Sequence, residues 1–176
     1  MPIELEIKLR VADHDAVRRA LEARGARFVS CVMETNYILD DAAGSLRQRG
    51  EGLRVRVNQT VRGEAQPPTL TFKGPRQPSA MKRREERETI IGDPDATLAI
   101  LKSLGLTPVI QYEKQRESWI VDDCRVELDH VERLGSFVEI EGPTEHSIEA
   151  VRVAIELSTA ESIRKSYVRM VAELSG

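Results

Sequence analysis

Aromatic residues make up only 4% of the 176-residue chain, too few for a surface that stacks successive nucleic-acid bases. The formal net charge is −3, so no overall basic field compensates, and general nucleic-acid binding is not expected. Cysteine is scarce. Cys31 and Cys124 lie far apart, each in a strand-like stretch, which fits neither a metal-site spacing nor a secreted disulfide framework and reads as two reduced packing residues. The three histidines, His14, His130 and His146, are scattered and read as surface or packing groups. No apolar run approaches the ~18 residues of a membrane span, and the N-terminus lacks the cationic, apolar and small-residue order of a signal peptide, so a cytoplasmic protein with no membrane partner is expected.

What the chain does have is charge, at 31% of residues beside 40% hydrophobic ones, in a length suited to one domain over residues 1–176 with a sizeable core. The charge is patterned. Glu4, Glu6 and Lys8 alternate with Ile3, Leu5, Ile7 and Leu9, so a strand here places charges on one face and aliphatics on the other. The same alternation returns with Arg54 and Arg56, Lys73, Arg84 with Glu86 and Glu88, Lys114 and Arg116, Glu127 and Asp129, and Glu139 and Glu141. One such strand facing water would be unremarkable, because exposed cross-strand ion pairs contribute only a few tenths to ~1 kcal/mol. Repeated Arg-x-Arg and Glu-x-Glu pairs point elsewhere. They predict an α+β fold in which a closed antiparallel barrel turns its apolar face outward onto helices and its charged face into a lumen.

Helix signals punctuate the strands. Asp13 precedes an amphipathic run with Val17, Ala20 and Leu21 inward, closed by Gly25, and Asp93-Pro94-Asp95 opens a run with Leu98, Leu101 and Leu104, closed by Gly105. Each helix follows a charged strand and precedes an extended segment ending in an Asp-Asp pair, which suggests an internal duplication. Loop-rich stretches at 58–68 and 74–83 flank a strand from Thr69 to Lys73 and read as mobile mouth loops. Thr144 can cap a helix carrying Ile148, Val151 and Ile155, and Ser158 or Thr159 a last helix with Ile163, Tyr167, Met170, Val171 and Leu174, both stripes reading as packing on the barrel exterior.

The proposed lumen holds the cations Lys8, Arg54, Arg56, Lys73, Arg84, Lys114 and Arg116 and the anions Glu4, Glu6, Glu86, Glu88, Glu127, Asp129, Glu139 and Glu141. Guanidinium forks bind phosphate oxygens bidentately and ammonium groups add point charge, so the cations suit a polyphosphate. No GxxxxGK[ST] loop is present, and Gly50 and Gly52 read as a hairpin turn, so phosphate recognition must come from side chains. Carboxylates repel phosphate, but a hard divalent ion joins the two; without Cys or His clusters, Mg²⁺ or Mn²⁺ is the natural choice.

These residues resemble the CYTH family of triphosphate tunnel metalloenzymes. The resemblance rests on the signature ExExK at Glu4-Leu5-Glu6-Ile7-Lys8, then LRVRV at 53–57, TFKGP at 71–75, REERE at 84–88, Lys114-Gln115-Arg116, and LDHVERLGSFVEIEG at 128–142, and runs to SYVRMV at 166–171. It implies an eight-stranded antiparallel tunnel. It further implies a metal group of Glu4, Glu6, Asp129, Glu139 and Glu141, with Glu4, Glu6 and Glu139 catalytic, and a phosphate group of Lys8, Arg54, Arg56, Lys73, Arg84, Lys114 and Arg116. Glu86, Glu88 and Glu127 would be supporting acids. The layout is most similar to the class IV adenylyl cyclase branch, which implies conversion of ATP to cyclic AMP and pyrophosphate by a monomer or homodimer. An inorganic, thiamine or nucleoside triphosphatase is the alternative, and a non-catalytic polyphosphate-binding module the third.

Overall fold

The computed structural model describes residues 3–174. In chain order these form β1 (Ile3–Val11), α1 (Asp15–Ala23), β2 (Arg27–Asp40), α2 (Ser45–Gln48), β3 (Gly52–Gly63), β4 (Thr69–Gln77), β5 (Lys82–Ile90), α3 (Pro94–Ser103), β6 (Thr107–Val121), β7 (Cys124–Val131), β8 (Gly135–Glu141), α4 (Glu145–Ala154) and α5 (Tyr167–Leu174). The strands pair antiparallel in the order β1-β5-β4-β3-β2-β6-β7-β8, and β8 returns to β1 to close the ring. Closure removes free sheet edges and gives every strand an inside and an outside.

The suspected duplication is visible in the topology. Exchanging β1 with β5, β2 with β6, β3 with β7 and β4 with β8 carries the ring order onto itself, read in the opposite sense. β1-α1-β2 and β5-α3-β6 are therefore equivalent units, meeting at the β1–β5 and β2–β6 pairings.

Local chemistry explains the helix ends. Asp93 accepts a bond from the Ala96 amide at 2.9 Å, with Pro94 in the first turn of α3, and Thr144 and Ser147 close a reciprocal capping box on α4. The outward aliphatics of β1, β6, β7 and β8, among them Leu9, Val126, Leu128, Val138 and Ile140, pack against Val17 and Leu21 of α1 and Ile148 and Val151 of α4. This is the main core. His14 belongs to it as a packing residue, buried with Nε2 2.9 Å from the Phe137 carbonyl oxygen, and both cysteines are free and buried.

Three expectations change. The outward face is covered on one side only: α3 has no buried residue, and Leu104 is 72% exposed, because no counterpart of α4 lies beside it. The stretches read as mouth loops are largely strand, since β3 runs on to Gly63 along β2, β4 to Gln77, and β5 begins at Lys82. The last helix starts only at Tyr167. Residues ahead of it are pinned to β1 through the Leu9–Ser162 bridge and the bond from the Ile163 amide to the Lys8 carbonyl, and Tyr167 turns toward the lumen, its ring 3.6 Å from Lys8 Nζ.

Candidate active site

The inward faces of the strands enclose a cavity of about 1610 Å³. Every charged residue proposed for the lumen lines it except Asp129. Two groups share the space, and their ion pairs define them.

The basic group is built on β2, β3, β6 and β7. Lys114 Nζ lies 2.9 Å from Asp129 and 3.5 Å from Glu34; Arg116 reaches Asp129 at 2.6 Å and Glu139 at 2.5 Å; Arg56 reaches Glu34 at 3.2 Å. Asp129 is fully buried, with both oxygens engaged by Lys114 and Arg116. It therefore stands apart from the carboxylates with which the resemblance groups it, as the anchor of two cations. Glu34, also buried, does the same for Arg56, Lys114 and Arg116, and Asn36 accepts from Arg56 Nε at 3.2 Å. Burial alone would raise the Glu34 carboxyl, but Arg56, Lys114 and Arg116 hold it well below the usual carboxylate range. Arg54 is held by Glu88 at 3.4 Å and Glu86 at 3.9 Å, yet its Nε is buried without a hydrogen-bond partner among the described residues. A buried donor left open beside a cavity is a place for a ligand acceptor.

The acidic group is built on β1, β5 and β8. Register places Glu6 opposite Glu141 and Lys8 opposite Glu139. Burial, then the neighbouring Glu4, Glu6 and Glu86, push the Glu141 carboxyl up to about 7. Glu6 is raised by burial and then by Glu139. Glu139 differs: against burial, Lys8 and Arg116 hold it well below its ordinary value. Two lysines temper the excess negative charge. Lys73 contacts Glu86 at 2.5 Å and Glu4 at 3.4 Å, and Lys82 bonds Glu6 and stands 3.8 Å from Glu4.

Glu4, Glu6, Glu139 and Glu141 are the hard oxygen donors that Mg²⁺ or Mn²⁺ would take, and of the four only Glu141 has no ion pair among the described residues. As they stand, no three carboxylate, His or Cys groups among the described residues converge on one point; Lys73 and Lys82 lie between the glutamates instead. The remaining proposed groups are also placed. Arg84 lines the cavity and donates from Nε and Nη2 to the Gly74 and Gly50 carbonyls, tying β4 to the turn ahead of β3. Glu127 accepts from Ser118 at 2.5 Å, and burial raises its carboxyl despite Arg116.

Among the cavity-lining residues that went unread in the sequence are Glu34, Lys82 and Tyr167. Lys82 continues the 84, 86, 88 alternation backward by one step, a signal hidden by the adjacent loop-like residues. Glu34 carries no clean alternation, because Met33, Thr35 and Tyr37 on the other face of β2 are not a covered apolar stripe. Nothing in the spacing of α5 marks Tyr167 as facing inward.

A ring of antiparallel strands around opposed basic and acidic groups defines a class of closed tunnel proteins with an ionisable lumen. The chain belongs to the CYTH family, whose domain model matches residues 2–171. A provisionally named adenylate cyclase of Methanocaldococcus jannaschii is 30% identical over 96% of this chain and 98% of its own. A Pyrococcus horikoshii protein of known structure superposes with a TM-score of 0.82 at 26% identity, covering 97% of this chain and 99% of that one. A Hippeastrum protein, described as a provisional adenylyl cyclase with a dominant triphosphatase activity, has the same fold with a TM-score of 0.71 at 20% identity, covering 97% and 95%. No helix among the described residues is long and apolar enough to cross a membrane.

Proposed function

We propose that this chain is a metal-dependent enzyme acting on a triphosphate chain, and that it is an adenylyl cyclase converting ATP to cyclic AMP and pyrophosphate. The observation that carries the reading is the pre-set basic group: Lys8, Arg54, Arg56, Lys114 and Arg116 converge on one lumen, with Lys8, Arg56, Lys114 and Arg116 held by the buried carboxylates of Glu34, Asp129 and Glu139 and with a donor of Arg54 unpartnered among the described residues. Such fixed donors meet phosphate oxygens without reorganising. The name of the Methanocaldococcus jannaschii relative, which matches almost end to end, supports the cyclase assignment.

In this reading Arg54, Arg56, Lys114 and Arg116 grip the phosphate chain and stabilise pyrophosphate as it leaves, while Lys8 and Lys73 extend the cationic wall. Glu4, Glu6, Glu139 and Glu141 would hold Mg²⁺ or Mn²⁺, and Asp129 is a positioning residue for Lys114 and Arg116 rather than a metal ligand. Held by these carboxylates, a divalent ion would supply a lowered pKa at the attacking ribose 3′-hydroxyl and screening of the phosphate charge. Glu139, paired with both Lys8 and Arg116, joins the two groups and fixes their separation.

A second reading is favoured by the Hippeastrum protein, whose described activity is that of a triphosphatase. The same wall would then hold the diphosphate leaving group while water attacks the terminal phosphorus. Incubation with ATP and, separately, tripolyphosphate in Mg²⁺ or Mn²⁺, followed by phosphorus NMR, decides. Cyclic AMP with pyrophosphate is the expected result. ADP or pyrophosphate with orthophosphate would replace the cyclase by the triphosphatase, and binding without products would leave a non-catalytic module.

A further inference from the structure

The chain ahead of α5 is pinned to the strand whose side chain it then covers. The Arg10 amide reaches the Glu161 carbonyl at 2.9 Å, Leu9 bridges Ser162, and the Ile163 amide donates to the Lys8 carbonyl at 2.8 Å. Two residues just beyond this strap meet the Lys8 side chain. The Lys165 carbonyl accepts from Nζ at 3.2 Å, and the centroid of the Tyr167 ring lies 3.6 Å from the same atom. The ring also stands 4.8 Å from Lys114 Nζ. An apolar cluster seats it: Phe137 meets it edge to face with centroids 5.3 Å apart, and Val131 and Met170 lie in the same cluster. At 5% exposure, and packed on a fully buried Phe137, the ring has little freedom to turn away.

Lys8 is the less anchored of the two lysines. Among the described residues its ammonium pairs with one carboxylate, Glu139 at 3.4 Å, whereas Lys114 pairs with Asp129 at 2.9 Å and Glu34 at 3.5 Å. Burial works against the Lys8 ammonium, and Lys82 and Lys114 add like charge. Glu139 is moreover shared with Arg116 and is one of the four glutamates assigned to the divalent ion. The ring is a partner of another kind. Its negative face attracts an ammonium, the more so out of water, yet it carries no net charge that would repel a phosphate or draw a metal. A further carboxylate in its place would also hold Lys8 but would set a like charge against the phosphates.

We propose that Tyr167 is a positioning residue of the phosphate wall, its ring face holding the Lys8 ammonium in place beside Lys114 without adding negative charge to the lumen. The inference rests on the triphosphate reading given above and deepens it. Strap, ring and lysine form one unit: β1 carries Lys8 and, through Ser162 and Ile163, fixes the approach to α5, which returns the ring to Lys8. Cyclisation and hydrolysis draw on this unit alike, because both need the same phosphates held.

The test is isothermal titration in Mg²⁺ with the uncleavable probe bismethylene triphosphate, comparing Tyr167→Phe with pentafluorophenylalanine placed at the same position. The two rings have nearly one shape, but fluorine makes the face electron-poor, so the comparison separates attraction for the ammonium from packing. The expected result is that Tyr167→Phe stays within about twofold of the wild type, while the fluorinated ring binds the probe about fivefold more weakly or worse. On a Lys8→Met background the two rings should differ by less than about twofold, since the ammonium on which they act is gone. Equal binding by the two rings, or the same difference between them with Lys8→Met, would overturn the role of Tyr167 and leave the triphosphate reading standing. Failure of the wild type to bind the probe at all would overturn both.

Discussion

Glu34 is 2% exposed and lies within 3.6 Å of Arg56, Lys114 and Arg116. Removing one member of a buried ionic cluster leaves the others uncompensated, so Glu34→Gln should lower stability at pH 7 by about 3 kcal/mol. The carboxyl is held below its ordinary value of 4.5, so in the window beneath that value the unfolded chain binds more protons than the folded one. The contribution of Glu34 is therefore complete above pH 4.5 and is lost as the pH falls below it. Urea unfolding from pH 3 to 7 should show the gap between wild type and variant narrowing at the acid end; a constant gap would contradict the assignment. Arg56 belongs to the ligand side of the same cluster. Arg56→Ala should weaken tripolyphosphate binding about 10- to 100-fold, the range for charge-assisted bonds, and an unchanged titration curve would remove it from the phosphate wall. The charged lumen residues of β1 could be read from the sequence because a covered apolar face alternates with them. Glu34 could not, because both faces of β2 are mixed where no helix covers it.

At the scale of elements, the join between β8 and α4 is packed tightly against the main core. A β-carbon on Gly142 would meet Cys124 Sγ at 2.6 Å and Ile148 Cγ1 at 3.0 Å, so Gly142→Ala should cost about 1–3 kcal/mol by overpacking. Cys124→Ala in the same chain should recover part of that loss, since the two sites compete for one volume. Thermal melts of the two single variants and the double variant read the coupling directly, and strict additivity would refute it. Helix existence was legible from caps and spacing, but burial was not. α1 and α3 carry similar apolar spacings at equivalent places in the duplicated fold, yet only α1 has α4 beside it. α5 was misjudged for a related reason: apolar spacing identifies a packed stripe, but Tyr167 packs on Phe137 with ring centroids 5.3 Å apart while capping Lys8 from the lumen side.

At the scale of the whole molecule, the two duplicated halves cannot behave as separate folding units. Each contributes strands to both joining seams, β1–β5 and β2–β6, and each contributes walls to the one lumen: Glu4, Glu6, Arg54 and Arg56 from the first, Lys114, Arg116, Glu139 and Glu141 from the second. A ligand seated in the lumen bonds both halves and has no comparable site in the unfolded chain. Tripolyphosphate with Mg²⁺ at about 100 times its Kd should add roughly 2.7 kcal/mol, and at about 2–4 °C per kcal/mol for a chain of this size the midpoint should rise by roughly 5–10 °C. The calorimetric trace should keep a single transition, displaced as a unit. If one half carried the site alone, ligand would shift part of the trace and leave a second, unmoved transition behind, and the shared lumen on which the binding argument depends would be lost.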